Sequence, residues 1–262
     1  MQQKTLFRVP SAIITTLLLI VFTPAFADDH AEPAQPGNAA TVLITGANRG
    51  LGLEFARQYS ADGWNVIATA RSPERADDLK ALPVEVAALD VTDPESVAAL
   101  AQSLEGRKID LLINNAGIFP RVGSIEEIDF EDYGRTLEVN TVGPVRVTRA
   151  LLPNLRAGEM KTIVNITSRL GSIALTDNGV FYGYRESKAA LNMFTRTLAN
   201  ELKPEGFTCL TIHPGWVQTD MGGENAALTP EESITGMRKV IAERSPEDTG
   251  TYWSYSGEEV PW

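Results

Sequence analysis

From Thr41 onward the chain alternates short β-branched or aliphatic runs with amphipathic stretches, and this alternation leaves few folds open to it. The strand-like runs are 41–45, 65–70, 84–89, 109–113, 162–167, 208–212 and 251–255, with helical patterns at 51–60, 94–104, 130–155, 182–202 and 230–244. Strands this short and this apolar suit a parallel sheet buried on both faces. Consecutive parallel strands need helical crossovers of one hand. The alternation therefore predicts a single doubly wound α/β domain over 40–262, with a roughly seven-stranded parallel sheet flanked by helices. No internal repeat of fixed period competes with it. Ligands of such sheets sit beyond the carboxyl ends of the strands, and there the loops of this chain turn rich in Gly, Asn and Ser.

The first of these loops, Thr45-Gly46-Ala47-Asn48-Arg49-Gly50-Leu51-Gly52, follows the first strand and opens the first helix. Glycines let a backbone turn tightly and approach phosphates, and a helix N-terminus offers unpaired N–H groups and a positive dipole end. Gly46, Asn48, Arg49, Gly50, Leu51 and Gly52 are thus candidates to cradle a pyrophosphate. The spacing G-x-x-x-G-x-G differs from the common G-x-G-x-x-G pattern. Further pieces fall in order along the chain. Asn114-Asn115-Ala116-Gly117 ends the fourth strand, Asn140 lies in the long middle helix, and Ser168 follows the fifth strand. Tyr184 to Lys188 starts the next helix, and Pro214-Gly215 follows the sixth strand. In combination these motifs resemble the short-chain dehydrogenase/reductase family, of Rossmann fold, over nearly the whole of 40–262. The segments Gly183-Tyr184-Arg185, HPGWVQTDMGG (213–223) and SGEEVPW (256–262) resemble its C-factor and Sniffer-like carbonyl reductase branch.

The chemistry of the residues leads the same way. Tyr184 and Lys188 stand at i and i+4, on one face of a helix. A phenol titrates near ~10, and a nearby ammonium favours its phenolate, so Lys188 is expected to bring Tyr184 toward neutral pH. Tyr184 would then donate a proton to a carbonyl oxygen as general acid, with Ser168 hydrogen-bonded to the same oxygen. Tyr182 loses that role on spacing, since Lys188 is its i+6. Thr167 competes with Ser168, but only Ser168 has the S-x-x-G context, with Gly171. The resemblance implies that Asn140 holds a water linking Lys188 to solvent. The stretch 175–180 is expected to shape the substrate mouth and 222–228 to form a lid. His213 reads as a structural residue at a strand end.

NAD-binding sites place an acid at the end of the second strand, where this chain has Ala70 followed by Arg71. With Arg49, Arg71 would bind a ribose 2′-phosphate by charge-assisted bonds, which points to NADP(H). The resemblance adds Asp90 and Val91 against the adenine, Thr219 against the nicotinamide amide or a phosphate, and Asn115, Ala116, Gly117, Pro214, Gly215 and Val217 along the cofactor, besides Tyr184 and Lys188. It implies NADPH-dependent reduction of an aldehyde, ketone or quinone, and pairing through the helices of Asn140 and Tyr184 into a homodimer or homotetramer. An NADP(H)-binding signalling or sensor protein with little turnover is the alternative. An epimerase or dehydratase fits poorly, because no length remains for a substrate domain.

Charge and cysteine usage narrow the partners. With 23 Lys+Arg against 34 Asp+Glu the net charge is −11, the wrong sign for gripping a phosphate backbone. A nucleic-acid partner is therefore not expected. Cys209 is the only cysteine, and with His30 and His213 so distant no metal site is expected. The first 27 residues carry Lys4 and Arg8, an apolar run from 12 to 22, and Ala25-Phe26-Ala27 before Asp28. That layout predicts an export signal cleaved after Ala27, too short for a comfortable membrane span, followed by a linker over 28–39. An uncleaved anchor or a cytoplasmic protein is the alternative.

Overall fold

The computed structural model describes residues 1–2 and 39–262. The expected export signal and linker, apart from Met1, Gln2 and Ala39, lie outside the described residues. Among the described residues no helix is long and apolar enough to cross a membrane.

Seven strands form one sheet: β1 (Thr41–Ile44), β2 (Asn65–Ala70), β3 (Glu85–Ala88), β4 (Leu111–Asn114), β5 (Thr162–Ile166), β6 (Thr208–His213) and β7 (Thr251–Ser254). Their order is β3-β2-β1-β4-β5-β6-β7 and every pairing is parallel. The helices are α1 (Gly50–Ala61), α2 (Asp77–Lys80), α3 (Pro94–Ser103), α4 (Phe130–Leu137), α5 (Gly143–Ala157), α6 (Tyr184–Leu202) and α7 (Pro230–Ala242). The chain thus has the doubly wound seven-stranded sheet that the alternation predicts.

Alternate strand residues supply two separate cores. Ile44, Ile113, Val164 and Leu210 pack with Phe55 and Tyr59 of α1 and with Ile234, Met237 and Val240 of α7. Their neighbours Leu43, Leu112, Ile163 and Cys209 face the other way, onto α3, α5 and α6 through Val97, Leu151 and Leu198. Burying one such aliphatic side chain stabilises by about 1.5–3 kcal/mol, so neither face tolerates a polar run. Order reverses between β1 and β4, where successive crossovers leave in opposite directions and open a crevice at the strands' carboxyl ends.

The middle helix departs from expectation. Instead of one helix over 130–155, α4 and α5 are joined by a π-helical turn, Glu138–Val142. Pro144 has no N–H to give to the Asn140 carbonyl four residues back. The ladder slips by one residue instead, with the Gly143 N–H donating to the Glu138 carbonyl. The helix expected from 182 starts at Tyr184, because Gly183 has φ of 77° and cannot continue a helix backwards. The short α2 escapes sequence reading because four residues hold too little periodicity to show.

Candidate active site

The loops after β1 and β4 lie against each other at the point where strand order reverses. The Thr45 hydroxyl accepts the backbone N–H groups of Asn115 (2.9 Å) and Ala116 (3.0 Å). In return the Asn115 amide donates to the carbonyls of Thr45 (2.9 Å) and Gly46 (3.1 Å). Gly46 has φ of +64°, and a Cβ there would stand 2.9 Å from the Ala116 Cα, so this contact admits only glycine. Ala47 is fastened to β2 through the Thr69 carbonyl at 2.8 Å. Asn48, Arg49 and Gly50 lead into α1, which opens without a side-chain cap, and Leu51 and Gly52 form its first turn. A twelve-residue helix presenting uncapped N–H groups beside a glycine cradle suits a pyrophosphate.

The segment after β6 closes against this cradle. Thr219 Cγ2 is 3.5 Å from where a Gly50 Cβ would lie. The Gly215 N–H donates to His213 Nδ1 (3.1 Å), and the Pro214 carbonyl accepts the Ser233 hydroxyl (2.7 Å). Val217 is buried and pairs with Leu228. The segment expected as a lid over 222–228 ends in a parallel bridge alongside 216–218: the Gln218 N–H donates to the Leu228 carbonyl, the Leu228 N–H donates to the Trp216 carbonyl, and the Gln218 amide reaches the Ala226 carbonyl (2.9 Å). Arg121, on the loop after β4, bridges to the Met221 carbonyl at 3.0 Å.

The basic pair expected at the ribose is arranged differently for its two members. Arg71 lies exposed just beyond β2 and acts electrostatically on Asp90. Burial raises the Asp90 carboxyl, but the hydroxyl and N–H of Thr92, with Arg71 and Arg135, hold it below its usual range. Arg49 instead makes an exposed ion pair with Asp220 at 3.1 Å. Arg135, in the last turn of α4, is the basic residue that sequence reasoning missed. Val91 is buried, and its carbonyl takes the Arg146 guanidinium at 2.6 Å.

Asn140, Ser168, Tyr184 and Lys188 come together from three separate elements, the last two sharing α6. Asn140 is fully buried in the π turn. Its amide accepts the Ile118 N–H (2.8 Å) and donates to the Ile118 carbonyl (2.9 Å) and the Ser187 hydroxyl (3.0 Å). Both amide hydrogens of that side chain are thus committed, and Pro144 has no N–H to offer the Asn140 backbone carbonyl. Ser168 opens a 3-10 turn, Arg169–Gly171, and accepts the Leu170 N–H at 3.2 Å. Lys188 Nζ donates to the Ile166 carbonyl (3.0 Å) and lies 5.7 Å from the Tyr184 ring centre.

One expectation is corrected here. Lys188 does not hold the phenol down; burial pushes Tyr184 up to about 12, with the Ser168 side chain acting weakly the other way. Burial also brings Lys188 down to about 8. Desolvation dominates both shifts, and the ammonium points to the Ile166 carbonyl. His213 is buried, and its imidazole is pushed down to about 4, which fits a structural acceptor for Gly215.

Aromatic residues line the same end of the sheet without any motif to announce them. Phe119 packs on Tyr184 (4.4 Å between ring centres) and on Phe181 (5.1 Å). The Tyr252 hydroxyl donates to the Ser168 carbonyl at 2.7 Å. The one available signal was position, since Phe119 directly follows the Asn-Asn-Ala-Gly-Ile run.

The short chain dehydrogenase family matches residues 40–228. C-signal of Myxococcus xanthus is 47% identical over 154 residues, covering 59% of this chain and 93% of that protein. The NADPH-bound carbonyl reductase from chicken fatty liver is 36% identical with a TM-score of 0.79, covering 86% of this chain and 99% of that one. The carbonyl reductase Sniffer of D. melanogaster is 32% identical with a TM-score of 0.81, covering 86% and 100%. The chain belongs to the short-chain dehydrogenase family, in the company of C-signal and the Sniffer-type carbonyl reductases.

Proposed function

We propose that this oxidoreductase reduces an aldehyde, ketone or quinone to the alcohol with NADPH, Tyr184 acting as general acid. The observation that carries the reading is the meeting of Tyr184, Ser168, Lys188 and Asn140 beside a glycine cradle at the sheet's switch point. A phenol pushed up to about 12 is fully protonated at neutral pH, as a proton donor must be. When bound, NADPH supplies the hydride for the carbonyl carbon. Tyr184 gives its proton to the carbonyl oxygen, and Ser168 steadies the charge developing there. Lys188 and the Asn140 backbone carbonyl stand behind the phenol as the route by which its proton is replaced. The cradle of Gly46 to Gly52 would hold the pyrophosphate, with Asn115 to Gly117 and Pro214 to Thr219 on either side. Arg71, with no acid at Ala70, favours a 2′-phosphate, in keeping with the NADPH-bound relative.

Likeness to C-signal favours a second reading, a nucleotide-binding sensor with little turnover. One assay separates the two. Purified protein is incubated with NADPH and a panel of aldehydes, ketones and quinones, beside Tyr184→Phe. Turnover that falls by about 10²–10⁴-fold in the variant is expected, the range for loss of a general acid. Turnover indifferent to Tyr184→Phe sinks the mechanism, and tight NADPH binding with no turnover on any carbonyl favours the sensor.

A further inference from the structure

Ser168 is held in place by residues to which the reaction as written gives no part. Asn192 stands at i+8 from Tyr184 and i+4 from Lys188, so all three project from one face of α6. It is 3% exposed. Its Oδ1 accepts the Thr167 hydroxyl at 2.7 Å, and its Nδ2 donates to the Gly171 carbonyl at 3.1 Å. Thr167 precedes Ser168 and Gly171 follows it by three, so a single amide closes both ends of the turn that carries the Ser168 hydroxyl. Tyr252 of β7, 1% exposed, adds its hydroxyl to the Ser168 carbonyl between those ends. The turn also rests directly on α6, for a Cβ at Gly171 would stand 2.7 Å from the Lys188 Cβ.

The chemistry asks for asparagine in particular. The two ends of the turn present a hydroxyl to be accepted and a carbonyl to be donated to, and one planar amide does both; a carboxylate has no donor for the second. Asparagine is a poor helix-interior residue, so its place there calls for a gain elsewhere. Buried polar groups of this kind rigidify their surroundings when every partner is satisfied, as both are here.

We infer that Asn192, assisted by Tyr252, is a positioning residue that holds the Ser168 hydroxyl in register with the Tyr184 phenol by tying the Ser168 turn to the helix face bearing that phenol. The inference rests on the reading of Tyr184 and Ser168 as partners at one carbonyl oxygen. Misplacement of a catalytic group by 1 Å is worth on the order of 10²-fold in rate, so the tie need slip only slightly to be felt.

The test is a double-mutant cycle on the full chain, with Ser168→Ala, Asn192→Ala and the pair together. Two quantities are read: kcat and KM for carbonyl reduction with NADPH, and the Tyr184 ¹³Cζ chemical shift at one fixed pH in tyrosine-labelled protein, assigned with Tyr184→Phe. Asn192→Ala is expected to lower kcat by about tenfold or more, leave the KM for NADPH unchanged, and move the Tyr184 signal in the direction that Ser168→Ala moves it. The double variant is expected to be no worse than Ser168→Ala alone. Thr195→Val is the control for plain destabilisation, since Thr195 lies further along α6 and receives the Asn165 amide (2.8 Å) without touching the Ser168 turn. It should lower the melting temperature and leave kcat and the Tyr184 signal in place. Multiplicative losses in the double variant, or an unmoved Tyr184 signal in Asn192→Ala, overturn the inference. Should Asn192→Ala not fold, Tyr252→Phe, which removes a single oxygen, takes its place in the same cycle. If the wild-type protein reduces no carbonyl, the reductase reading falls by itself, because the Tyr184 signal still decides whether Asn192 places Ser168.

Discussion

Single side chains in this protein are governed by whether they are buried, more than by their nearest charge. Tyr184 and Lys188 show it: the i, i+4 spacing brings them together as expected, yet desolvation moves both toward their neutral forms. Arg71 and Arg49 show the converse, since both are exposed and only tertiary contacts assign them. Arg71 stands by Asp90, while Arg49 is taken by Asp220. Arg71→Asp is therefore expected to reverse cofactor preference from NADPH to NADH, read as the ratio of kcat/KM for the two. Loss of a charge-assisted pair costs about 1.5–3 kcal/mol, or roughly ten- to a hundredfold in NADPH affinity. An unchanged ratio would remove Arg71 from the site.

Among the elements, the π turn between α4 and α5 and the end of β6 carry most of the consequence. Pro144 keeps the Asn140 carbonyl out of the helical ladder, so Pro144→Ala supplies the missing N–H. That variant should protect its new amide from hydrogen exchange and lower kcat by about tenfold, as a relay acceptor becomes occupied. Protection of that amide with kcat undiminished would clear the carbonyl of any role. At the end of β6, burial pushes His213 down to about 4 from an unfolded value near ~6.5. Between those values the unfolded state binds more protons, so the fold loses stability as pH falls, by up to about 3 kcal/mol at the low end. His213→Asn keeps an acceptor for the Gly215 N–H and should flatten that acid slope, measured by urea unfolding at pH 7 and pH 4.5. An equal slope in both proteins would place the acid sensitivity elsewhere. Helix ends and the π turn were not legible beforehand, because a missing N–H at one proline leaves the apolar period of 130–155 unbroken.

For the whole molecule, the sheet and the first 27 residues raise different questions. The sheet is buried on both faces, and that alone demanded the helical crossovers which gather the strand-end loops. The N-terminal pattern carries our proposal of export with cleavage after Ala27, with a cytoplasmic or membrane-anchored protein as the alternative. Export sets a condition on the enzyme, since NADPH is not freely available outside the cytoplasm and cofactor would have to be acquired before or during transport. Sequencing the N-terminus of the protein made by its own host should return Asp28. A chain starting at Met1 would refute cleavage.

Sequence alone determined the architecture and picked out the groups to which we assign the reaction. Strand-length apolar runs can be buried only between helices, and the spacing of Gly46 to Gly52, Ser168 and Tyr184 to Lys188 is local information carried in the chain itself. What only the tertiary structure decided was how those groups are surrounded. The protonation of Tyr184, the partner of Arg49 and the tie from Asn192 to the Ser168 turn all arise between residues far apart in the chain. Burial and hydrogen-bond direction are properties of the packed molecule, and no spacing along the backbone encodes them.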